Sequence, residues 1–158
     1  MPNVKIRTLP GVIVITILSF GAAAAQQCST DNASVKAVRS VALGIVAADN
    51  ARDLPKVLSF YADEALLMPP NEQPLKGVTA IRRRYESLFE SYNPRIEGRI
   101  DESCVNNRLG FVRGHNGGQL VPISGGEGRQ LDDTYLMLLK RSRSGTWKIT
   151  HLIWHRSH

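Results

Sequence analysis

Two histidines stand four residues apart near the end of the chain, in the run "TWKITHLIWHR" at residues 146–156. Regular alternation puts Trp147, Ile149, His151, Ile153 and His155 on one face of a strand, and Lys148, Thr150, Leu152, Trp154 and Arg156 on the other. If Ile149 faces a core, His151 and His155 enter it as well. An imidazole in an apolar cavity can take or give a proton near neutrality, which makes His151 the candidate catalytic residue. The plainer alternative is a hydrogen-bonded histidine filling the core, or one exposed at an interface. Four strand residues span about 13 Å, too far for His151, His155 and His158 to share one ion. No metal site is expected.

Other polar side chains offer less. Tyr61 and Tyr85 close apolar helical faces and could turn their hydroxyls into a cavity, or be core aromatics with backbone partners. Tyr135, Met137 and Leu139 share one strand face, and Arg113 and His115 share another. Arg113 suits either an anionic group or a surface ion pair. With Met68 and Phe89, these tyrosines, Met137 and the two histidines make up the expected pocket lining. Asp132 and Asp133 begin a strand after a glycine-rich loop and read as a solvated turn, with an acid pair as the alternative; Glu64 and Glu72 read as exposed. Cys28 and Cys104 are the two cysteines, and in an oxidising compartment two cysteines usually pair. Two separate buried thiols are the alternative. No activating base stands near either in sequence.

The compartment is suggested by the first 25 residues. Lys5 and Arg7 precede an apolar stretch from Gly11 to Phe20, then Gly21 and four alanines. That is the layout of a cleaved signal peptide, and the run is shorter than the roughly 20 apolar residues a spanning helix needs. A periplasmic or secreted protein is expected, with a single domain over residues 26–158 that is large enough for its own core. Without Lys5 and Arg7, the 20 basic residues become 18 against 14 acidic, a net charge of +4. The basic residues are mostly scattered, so no nucleic-acid partner and no membrane association after cleavage are expected.

Three helices should carry the first half. Ala33, Val35, Val38, Val41, Ala42, Ile45 and Val46 recur at helical spacing, behind a cap at Thr30 or Asp31. Asp53 caps a second helix with Pro55 in its first turn, ending near Ala62. A strand at residues 65–68 stops at Pro69 and Pro70. Thr79 starts a third helix with Ile81, Tyr85, Leu88 and Phe89 on one face, which Arg82, Arg83 and Arg84 cannot all share. From Arg95 the period becomes two, giving four strands. Helices first and strands later place the chain in the α+β class, with the helices on one face of an antiparallel sheet.

Three segments carry a family resemblance: "ARDLPKVLSFYADEALLMPP", "PLKGVTAIRRRY" and "GTWKITHLIWH". Together they resemble the nuclear-transport-factor-2-like superfamily, which includes ketosteroid isomerase and SnoaL-type polyketide cyclases. The resemblance covers roughly Val35 to Arg156. It implies a cone of three helices on a curved, mainly antiparallel sheet with an internal pocket, whose mouth is lined by the loop after the first strand. In ketosteroid isomerase an aspartate after that strand moves the proton, while a tyrosine and a protonated carboxylic acid stabilise the enolate. The matching positions here are Pro69, Ile45 and the stretch Tyr135 to Met137, so none of the three roles carries over. The resemblance therefore implies binding of a small, mostly apolar organic molecule, without a cofactor. Isomerase, cyclase or lyase chemistry through pocket histidines is the alternative. A dimerisation module presenting Leu152 and Trp154 on the outer sheet face is a third, and the superfamily implies a homodimer through that face.

Overall fold

The computed structural model describes Cys28 and residues 32–156. The signal peptide, the proposed cleavage point, Thr30, Asp31 and His158 lie outside the described residues.

Helix α1 (Ala33–Asn50) begins at Asn32, whose side-chain oxygen accepts from the Val35 amide at 2.9 Å. The cap thus falls just after the two residues expected. Its buried stripe is Val35, Val38, Ala42, Ile45 and Ala48. Helix α2 (Leu54–Ser59) starts at Asp53, which accepts from the Lys56 amide, and carries Pro55 in its first turn. It is shorter than expected, because the backbone is already extended at Tyr61, where strand β1 (Tyr61–Met68) begins. Phe60 sits between them under α1. A Cβ on Gly44 would meet the Phe60 ring at 2.8 Å, so the missing side chain is what lets that ring close against the helix.

After Pro69 and Pro70 the chain returns in a two-residue strand, β2 (Leu75–Lys76), paired antiparallel to β1. Helix α3 (Val78–Ser91) follows from Gly77, whose φ of 84° is open to glycine. Thr79 is inside the helix and does not cap it. Strands β3 (Tyr92–Asn106), β4 (Leu109–Pro122), β5 (Arg129–Arg141) and β6 (Trp147–Arg156) complete the molecule. The sheet order is β2-β1-β6-β5-β4-β3, with β1 parallel to β6 and every other pair antiparallel.

The three helices cover one face of this curved, unclosed sheet. Their apolar stripes meet Leu67, Val112, Met137, Leu139, Trp147 and Ile149, all buried. Each such side chain contributes about 1.5–3 kcal/mol on burial, which helices of this length need to persist.

Which residues face the helices is decided by a bulge. Leu139 pairs with Ile149, but Leu138 pairs with His151, so Thr150 is an extra residue on β6. Its hydroxyl donates to the Leu138 carbonyl at 3.2 Å. An inserted residue reverses every later side chain relative to strict alternation. Trp147 and Ile149 face in; beyond Thr150, Leu152 and Trp154 face in, while His151, Ile153 and His155 face out.

Candidate functional site

Between α1, α3 and the inner sheet face lies a cavity of about 110 Å³. Ala42, Ile45 and Asp49 reach it from α1, and Arg84, Tyr85 and Leu88 from α3. The sheet contributes Ile96 and Asn116, then Asp133, Tyr135 and Met137 from one face of β5, and Leu152 and Trp154 from β6. Gly114 allows Tyr135 its position: a Cβ there would stand 2.7 Å from the tyrosine hydroxyl. Burial pushes that hydroxyl up to about 12.

Asp49 stands seven residues after Ala42 and four after Ile45, so the α1 periodicity carries a carboxyl into an otherwise apolar wall. Its Oδ1 is buried and has no hydrogen-bond partner. Loss of water pushes its pKa up to about 8, against an opposing pull from Arg84. Asp133 is 7% exposed, in phase with Tyr135 and Met137, and its Oδ1 also lacks a partner. Burial raises its pKa, with Arg156 and Arg129 opposing and Asp132 adding to the rise. The pair Asn116 and Asp133 are register partners on β4 and β5, and the Asn116 Oδ1 is likewise unpartnered.

Arg84 closes one side. Its guanidinium bonds both carboxylate oxygens of Glu72, at 2.9 and 3.2 Å, and lies 5.3 Å from the Trp154 ring centroid. Glu72 belongs to the turn after Pro69 and Pro70, so the loop that ends β1 is tied to the cavity wall. A second, wider groove runs outside along Glu72, Leu75, Arg83 and Ser91, and shares Arg84, Leu88 and Arg129 with the cavity. Those three residues stand between the cavity and the outer groove. Behind the wall, the Tyr61 and Tyr85 hydroxyls are 3.2 Å apart, and burial holds both far above the usual tyrosine value.

Of the expected lining, Tyr85, Tyr135 and Met137 reach the cavity. Tyr61 and Phe89 are buried on either side of Tyr85, with ring centroids 6.4 and 5.7 Å from it. Met68 pairs with Ile153 and does not line the cavity. His151 and His155 do not either: both are exposed on the opposite face, because Thr150 interrupts the alternation that placed them inside. Leu152 and Trp154, expected outside, form the wall in their place. Arg113 makes surface ion pairs with Asp101 and Glu102 at 3.3 and 3.4 Å, and His115 approaches Asp101 at 2.7 Å. Cys28 and Cys104 form a disulfide. Among the described residues no cluster of three His, Cys, Asp or Glu side chains could hold a metal ion.

Sequence reasoning passed over Asp49 and Asn116 and left Arg84 in a partly solvated arginine run. It read Asp133 as a solvated turn, whereas that residue is buried within β5 because it shares the inward face of Tyr135 and Met137. Two of them carried a signal. Asp49 continues the buried helical stripe, and Asp133 shares the parity of Tyr135 and Met137.

A cone of helices on a bent sheet around a hollow defines the nuclear-transport-factor-2-like class. Solved structures agree on the fold. A ketosteroid isomerase-like protein from Erwinia carotovora atroseptica matches at TM-score 0.73 and 24% identity, over 78% of this chain and 96% of that one. A conserved protein from Planctomyces limnophilus matches at 0.71 and 20%, over 78% and 98%. A nuclear-transport-factor-2-like protein of unknown function from Pseudomonas putida matches at 0.66 and 16%, over 80% and 88%. Residues 43–149 match the SnoaL-like domain, and the chain belongs to that family. No curated protein matches it.

Proposed function

We propose that the cavity binds a small organic molecule and that Asp49 exchanges a proton with it. The observation that carries this reading is the Asp49 carboxyl itself: buried in the cavity wall, with one oxygen unpartnered and a pKa pushed up to about 8. A carboxyl in that range is a stronger base than a solvated one and still ionises near neutral pH, which suits general acid–base work. The walls of Ile45, Met137, Leu152 and Trp154 would hold the carbon skeleton and exclude water. Tyr85 and Tyr135 stay neutral, so they serve as shape and hydrogen-bonding groups and not as bases. Ketosteroid-isomerase chemistry is no part of this reading, since Pro69 occupies the position of that enzyme's base. The reading also includes export, which fits the Cys28–Cys104 disulfide.

Nitroethane is a compact carbon acid whose deprotonation can be followed by nitronate absorbance. The protein should accelerate that step, with the rate rising as pH climbs toward about 8 and Asp49 ionises. Asp49→Asn should abolish the acceleration while leaving the circular dichroism spectrum unchanged. An equal rate in the folded variant would remove Asp49 from the chemistry.

A further inference from the structure

Buried polar side chains nearly always have hydrogen-bond partners. Among the described residues three buried side-chain atoms have none: Asp49 Oδ1, Asn116 Oδ1 and Asp133 Oδ1. All three belong to the wall of the same cavity. They come from three elements, α1, β4 and β5, so no single local irregularity accounts for them. What they lack is also the same. Each is an acceptor oxygen, and a carboxyl that is protonated still keeps acceptor capacity.

Two of the donors on the wall are already engaged. Arg84 gives its N–H groups to Glu72, and the Tyr85 hydroxyl meets that of Tyr61. Arg129 stands at the exposed rim, where its charge acts on Asp133. The three unpartnered oxygens therefore ask for donors from whatever enters.

Charge narrows the choice. Arg84 and Arg129 line both the cavity and the outer groove and disfavour a cation. Arg84 is already paired with Glu72, and the mostly apolar interior offers an anion little compensation. A neutral guest bearing hydroxyls satisfies both conditions. Asn116 and Asp133 are directly opposed across β4 and β5, which sets their side chains about 5 Å apart on one face. Two neighbouring hydroxyls can address that pair together.

We infer that the cavity takes a compact, neutral molecule carrying at least two hydroxyl groups on an apolar skeleton, with Asn116 and Asp133 as the residues that select for it. This rests on the proposed small-molecule function and names its substrate class. Asn116 and Asp133 act here as specificity determinants, and Asp49 keeps the proton-transfer role.

The test holds the skeleton constant and varies the donors. The purified chain is titrated with cis-cyclopentane-1,2-diol, cyclopentanol and cyclopentanone, and binding is followed by the indole N–H resonance of Trp154. The diol should bind about tenfold or more tighter than the ketone, with cyclopentanol between them. Asn116→Leu should bring the diol to the level of cyclopentanol and leave the ketone unchanged. Asp133→Leu provides the same comparison if the first variant does not fold. Equal or tighter binding of the ketone overturns the inference while leaving the pocket reading standing, as does a diol preference that survives both substitutions. No response from any probe would mean the cavity holds only water, and overturns both readings.

Discussion

At the scale of single residues, Asp49 has a cost that pH makes visible. In the folded chain its carboxyl keeps a proton up to about 8, while in the unfolded chain it ionises in the ordinary carboxylate range. Between those two values the folded state binds more protons than the unfolded state. Stability therefore falls as pH rises through that window, and below it the penalty is absent. Asn in place of Asp keeps the shape and cannot ionise. Asp49→Asn should accordingly be more stable than the parent at pH 8 and close to it at pH 4, with a flatter profile between. Asp133, raised in the same direction, leaves a smaller slope in the variant. Urea denaturation at the two pH values measures this, and parallel profiles for parent and variant would contradict the burial of an uncompensated carboxyl at this site. The position was legible in the sequence through helical spacing alone, since an acid at the seventh residue after Ala42 and the fourth after Ile45 belongs to the buried stripe.

At the scale of elements, the decisive feature is one surplus residue on β6. The helical stripes of α1 and α3 and the alternation of Tyr135, Met137 and Leu139 were readable because nothing interrupts their periods. Alternation along β6 was readable only as far as Ile149. A bulge has no side-chain signature of its own: Thr150 suits a regular strand equally well, and only its partner β5 reveals that it is unpaired. The error in placing the histidines was thus one of register and not of composition. Two adjacent residues separate the alternatives. His151→Ala should change stability by no more than about 0.5 kcal/mol, as exposed positions usually do. Leu152→Ala, at a position packed against the core, should cost about 2 kcal/mol. Thermal or urea unfolding of the pair checks this, and the reverse ranking would mean that β6 alternates without interruption and that the histidines do reach the interior.

At the scale of the whole molecule, what matters is how the cone is closed at its N-terminal side. α1 is held against the sheet by its own apolar stripe, and by contacts such as the Asn50 side chain, which accepts from the Ile96 amide and donates to the Ile96 carbonyl. Immediately before α1, Cys28 joins Cys104 on β3 across 76 residues of sequence, with Cα atoms 5.7 Å apart. The closed loop contains α1, α2, β1, β2, α3 and most of β3, so it includes both helical walls of the cavity but neither β5 nor β6. A link of that span restricts the unfolded chain far more than it alters the folded one, and contributes about 4 kcal/mol. Replacing both cysteines by serine should therefore lower Tm by roughly 10 °C or more without changing the fold. The cavity should survive, because its lining is set by packing and register and not by the link. Calorimetry of the parent in oxidising and reducing buffer, beside the double variant, reads the effect directly. A reduced parent that melts where the oxidised one does would show that the apolar contacts of α1 alone hold the helical wall in place.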